Sequence, residues 1–129
     1  MTRAAIVLLL AATTLLAGCK EEHHWHDELY PASAHAVGKA LRDPRSAQWL
    51  NRRKVEAPGD PRRVAVCGQV NARNASGAYV GYTPFFSAWR QAGNGGRHVV
   101  SMLRTPANAR EFEPLFRQHC GGEVLDRRD

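Results

Sequence analysis

Apolar and polar positions divide the chain into unequal parts. Ala4 to Leu16 is an apolar run interrupted only by Thr13 and Thr14, behind a short positive head of Met1, Thr2 and Arg3. Lys20 to Pro31, KEEHHWHDELYP, shows no helical or strand period that carries through. Beyond it the pattern becomes that of a folded domain. Ala34, Val37 and Leu41 fall at helical spacing, Ser33 is placed to cap them and Asp43-Pro44 ends the pattern. Asp43 with Pro44 predicts a short turn, followed by a strand from Trp49 to Val55 and a loop, APGDP, from Ala57 to Pro61.

Arg63 to Asn71 alternates, with Val64, Val66, Gly68 and Val70 on one side and Ala65, Cys67, Gln69 and Asn71 on the other. That period of two predicts a strand. The turn ARNASG leads into a second predicted strand, Ala78 to Phe86, rich in β-favouring residues, so the two form a hairpin. After the loop QAGNGG, RHVVSML from Arg97 to Leu103 is a further strand. Phe112, Leu115, Phe116 and Cys120 line one face of a closing helix, with Gly121-Gly122 as its stop. Asn108 with Glu111 has the spacing of a capping box, and Pro114 requires the helix either to kink or to start again at Glu113. The expected fold is α+β: a small antiparallel sheet of three or four strands with a central hairpin, flanked by an N-terminal and a C-terminal helix.

The apolar run near the N-terminus has the shape of a signal peptide and falls short of the roughly 20 residues that a membrane-spanning helix needs. Leu16-Ala17-Gly18-Cys19 resembles the lipobox of bacterial lipoproteins, in which the cysteine is acylated and becomes the mature N-terminus. The resemblance implies a signal peptide over 1–18 and lipidation at Cys19; the aperiodic charged stretch then reads as a tether over 19–31, followed by a single α+β domain over 32–126 and a tail over 127–129. Two or three acyl chains hold a protein on a bilayer durably, where one holds it only marginally. Lys20 follows the cysteine where, in that family, an aspartate tends to retain the protein in the inner membrane. The resemblance therefore implies an outer-membrane lipoprotein with its domain facing the periplasm.

The chain carries 18 Lys and Arg against 12 Asp and Glu, a net charge of +6, and removal of residues 1–18 takes away one Arg and no acid, leaving +5. A periplasmic address removes nucleic acid as a partner and leaves peptidoglycan, anionic headgroups or an acidic protein. With Cys19 assigned to lipid, Cys67 and Cys120 are the pair available for a disulfide, which would pin the last helix to the hairpin. A closed loop of that length contributes about 4 kcal/mol in the chain-entropy model. The alternative is a catalytic thiol served by His35, His98 or His119, none of which the spacing singles out.

His23, His24 and His26 are dense enough to bind copper, nickel or zinc, but a tether supplies neither a fourth ligand nor a fixed second shell, so neither a metal site nor a cofactor is expected. Gln69, Asn71, Arg73, Asn74, Tyr79 and Tyr82 cluster around the hairpin turn and combine hydrogen-bonding groups with flat apolar faces, which suits sugars or peptides; the same residues also serve ordinary turns. No nucleophile elbow, zinc-protease motif or phosphate loop is present. The expected function is a tethered binding module for peptidoglycan or an envelope protein, with a small periplasmic enzyme as the alternative.

The pattern Asp43-Pro44-x-Ser46-Ala47-x-Trp49, Cys67-Gly68-x-Val70-Asn71-Ala72-x-Asn74 and Gly77-x-Tyr79-x-Gly81-Tyr82 resembles a family of small uncharacterised bacterial and phage-associated proteins. Its relatives carry an aromatic, usually Phe, at Trp49 and often a lysine at Arg73. The resemblance implies a shared fold and no activity.

Overall fold

A computed structural model of the protein describes residues 28–121. A helix, α1 (Leu29–Gly38), is followed by a single 3-10 turn (Pro44–Ser46) and four strands: β1 (Gln48–Ala57), β2 (Asp60–Asn71), β3 (Thr83–Gln91) and β4 (Arg97–Leu103). The chain closes with α2 (Ala109–Cys120). The strands form one antiparallel sheet in the order β1-β2-β3-β4, so each pairs with its neighbour in sequence. The α+β architecture expected from the sequence is the one observed.

Alternation along β2 and β3 sorts their side chains between two cores rather than between a core and solvent. Val64, Val66 and Val70 join Phe85 and Trp89 beneath Leu29 and Val37 of α1. Ala65 and Cys67 join Phe86 and Ala88 against Phe112, Phe116 and Cys120 of α2. The helices therefore cover opposite faces, and the central strands are buried on both. A fully buried Phe contributes about 1.5–3 kcal/mol, and Phe85, Phe86 and Phe112 are each 0% exposed. Polar groups follow the same discipline: Ser33 Oγ donates to Ser87 Oγ at 3.2 Å, and Ser87 and Ser101 share a hydrogen bond of 2.9 Å.

Several boundaries differ from the sequence expectation. The first helix begins at Leu29, which is 1% exposed, so the folded part starts ahead of Ala32 and Ser33 lies buried inside the helix instead of capping it. A β-propensity pattern placed the second hairpin strand at Ala78 to Phe86, whereas β3 starts at Thr83 and runs to Gln91. Gly77 and Gly81 adopt φ of 79° and 110°, which breaks an extended strand, and only an isolated bridge between Arg73 and Tyr79 forms in that stretch. Asn108 does not build a capping box either. Its side chain accepts from the Thr105 N–H and donates to the Leu103 carbonyl, tying the helix start to the end of β4. Helix α2 runs through Pro114 as one element, which settles the choice between a kink with continuation and a restart at Glu113.

Candidate functional site

The six polar residues around the hairpin turn occupy two different settings. Gln69 is 4% exposed, inside β2 on the α2 face, and is not presented by the turn. Most of the others hold the irregular loop 72–82 together. The Asn74 Oδ1 accepts from the Ser76 and Ala78 N–H groups at 3.0 and 3.1 Å, and the Asn71 Oδ1 accepts from Gly81 at 3.2 Å. Arg73 and Tyr79 fasten the loop to the 3-10 turn: the Arg73 N–H donates to Ser46 Oγ, its guanidinium lies 3.6 Å from Asp43, and the Tyr79 hydroxyl donates to the Ser46 carbonyl at 2.9 Å. This is Asx-type and tethering chemistry. Tyr82 and Val80 remain exposed, at 38% and 73%.

A second surface was not singled out by sequence spacing. On the α2 face, an apolar row crosses all four strands, with Val55 opposite Ala65, Ala65 opposite Ala88 and Ala88 opposite Val100. One step further along, Arg63 pairs with Arg90 and Arg90 with His98. Gln118, His119 and Gly121 at the end of α2 complete an open groove of about 670 Å³ over these rows. Its floor is apolar and one side carries three basic side chains, all exposed. The volume is that of a site for a small ligand or a short peptide.

The helix that walls the groove is fixed from two directions. Cys67 and Cys120 form a disulfide, joining the middle of β2 to the last residue of α2. Arg53, opposite Cys67 in β1, donates to the carbonyls of Cys120 and Gly121 at 3.0 and 3.3 Å. A guanidinium at that end satisfies open carbonyls and complements the negative pole of the helix. Gly121 then leaves the helix with φ 61°.

The three histidines considered as bases for a Cys67 thiolate separate in space. His35 is exposed on α1, across the sheet from Cys67, while His98 and His119 both line the groove. With Cys67 in the disulfide there is no thiolate for any of them to activate. His119 stacks on Phe86, with ring centroids 5.3 Å apart. Burial there, and then the neighbouring positive charge of Arg63, hold its imidazole below the ordinary value. Among the described residues no group of His, Cys, Asp and Glu side chains could hold a metal ion. Cys19, His23, His24 and His26 lie outside the described residues.

The sequence offers His98 only as a candidate base and does not show its alignment with Arg63 and Arg90, because the three are far apart in the chain and only the strand register brings them into one row. The alternation of β2 was the available signal, since Arg63 continues the series Ala65, Cys67, Gln69. No family model, curated protein or solved structure matches the chain.

Proposed function

We infer that the protein is a lipid-anchored binding module of the bacterial envelope, and that the groove between the sheet and the end of α2 is its binding surface. The anchor rests on the lipobox ending at Cys19, which also carries the assignment to the outer membrane and the periplasm. The observation behind the binding surface is the exposed row Arg63–Arg90–His98 beside an apolar row whose outer member, Val100, is 51% exposed. Two exposed, aligned arginines next to apolar surface favour an anionic partner. The enzyme reading has His98 and His119 facing one groove, but among the described residues its lining offers no hydroxyl or thiol nucleophile beside them.

Two experiments test the halves of this reading. Labelled palmitate fed to cells should enter wild-type protein and not Cys19→Ser; equal labelling of both removes the anchor. For the binding half, chemical cross-linking in cells followed by mass spectrometry should recover one dominant partner, lost in the variant Arg63→Glu with Arg90→Glu. Purified sacculi separate the partner classes. Salt-sensitive sedimentation with them assigns the groove to peptidoglycan, because attraction between exposed charges fades beyond about 8 Å at physiological ionic strength.

A further inference from the structure

We propose that the groove receives an acidic peptide segment of a partner protein, lying extended over the sheet with carboxylates on the Arg63–Arg90–His98 row and an apolar side chain on the floor beside it. The inference rests on the binding-module reading above but not on the lipid anchor.

The row is costly to the free protein. Arg63 stands directly opposite Arg90, and Arg90 directly opposite His98. Neighbouring strands are about 4.8 Å apart, so the three basic residues lie within about 10 Å on one face. Like charges directly opposed across an antiparallel pair, as Arg63 and Arg90 are, are destabilising. Among the described residues no carboxylate relieves them: Arg104 and Arg73 have Glu113 and Asp43, whereas no ion pair forms at Arg63 or Arg90. Asp60, which lines a separate, smaller pocket with Arg90 and His98, is occupied by Arg62, whose guanidinium lies 3.6 Å away and whose N–H donates to the same oxygen. Glu56 on the rim has a partner of its own. Among the described residues, then, the row has no anion of its own.

Strand geometry narrows the class of anion. The basic row and the apolar row are two residues apart on each strand, Arg63 from Ala65, Arg90 from Ala88 and His98 from Val100. That separation is about 6.6–6.8 Å. In an extended peptide, side chains at i and i+2 point the same way at the same spacing. A peptide running along the strands thus sets an acidic residue over the basic row and an apolar residue over the neighbouring row at Val100, its exposed member, Ala65 and Ala88 being buried beneath. Carboxylates match the flat fork of a guanidinium. A sugar would call for an exposed aromatic platform, and Trp89, the aromatic residue in the lining, is 7% exposed.

A random heptapeptide display library selected on the purified protein tests this. The expected result is enrichment of sequences with Asp or Glu two positions from Val, Leu or Ile. Synthetic peptides from the selection should bind about 10-fold more weakly to Arg63→Gln and to Arg90→Gln, the loss of one charge-assisted hydrogen bond each. Both side chains are exposed, and removing either relieves repulsion, so the same variants should melt about 1–5 °C higher than wild type without ligand. That rise excludes misfolding as the cause of lost binding. The proposal is overturned if no acidic motif emerges, if selected peptides bind the double variant equally well, or if the arginine-dependent ligand is purified sacculi or inorganic phosphate instead. Photo-cross-linking in cells from position 100 distinguishes the two levels. A partner captured there without an acidic motif removes the ligand class and keeps the module, whereas no partner and no motif removes both.

Discussion

His119 couples the helix that walls the groove to pH. Its ring is stacked on Phe86, and burial followed by the Arg63 charge lowers its proton affinity in the folded state. The unfolded chain has no such restraint and takes up a proton near the ordinary value of about 6.5. Between that value and the lowered folded value the unfolded state binds more protons, so the contribution of His119 is intact above the window and lost as pH falls through it. Urea midpoints should accordingly fall as pH drops from about 7 toward 5, with a smaller fall in His119→Phe; the same slope in both proteins would contradict the assignment. Cys67 and Cys120 act at the same scale. Replacing both with Ser should cost about 2–5 kcal/mol in urea denaturation under oxidising conditions. A cost below about 1 kcal/mol would show that Phe112 and Phe116 hold α2 without the bridge.

At the scale of elements, the edge strand β1 depends on a glycine in its neighbour. Its register slips between Leu50 and Arg53, and Asn51 takes φ 52° in the resulting bulge. The bulge crosses directly over Gly68, where a Cβ would lie 3.0 Å from the Leu50 carbonyl oxygen and 3.2 Å from the Arg52 Cα. Both neighbours are backbone and cannot swing aside, so Gly68→Ala should destabilise the protein by about 1–3 kcal/mol. Thermal melting of that variant within 1 °C of wild type would show that the bulge yields. Legibility in the sequence followed the same physics. The pattern of Arg97 to Leu103 predicts β4 with its observed limits, and the period of α2 predicts its buried face Phe112–Phe116–Cys120. The stretch Ala78 to Tyr82 misled because its Tyr and Val residues favour strands in general, yet Gly81 at φ 110° and the bonds from Asn71 and Asn74 commit it to a loop. Propensity reports what suits a pleated surface, and there was no neighbouring strand to supply one.

At the scale of the whole molecule, the proposed binding surface follows from where the second helix stops. Helices on both faces make the alternation of β2 a division between two cores. From one sequence, a strand with one wet face and a strand buried twice look alike until both helices are placed. Helix α2 covers Phe86 and Cys67 and ends at Cys120, leaving, among the described residues, the Arg63–His98 row and the Val100 end of the apolar row open beside it. That vacancy is a property of helix length against strand length, which no local pattern encodes. The exposed loop 72–82, the surface most suggestive in the sequence, spends Asn71, Arg73, Asn74 and Tyr79 on its own structure.

The central claim is that the groove, and not this loop, meets the partner, and a photoreactive amino acid placed at each surface in turn decides between them. Val100 lies in the groove and is 51% exposed, and Val80 lies in the loop and is 73% exposed, so both positions accept the probe without entering the core. After irradiation of living cells, one defined adduct is expected from position 100, lost when Arg63 and Arg90 are both changed to Gln, with none from position 80. An adduct from position 80 alone, or one from position 100 that persists in the double variant, would contradict the account.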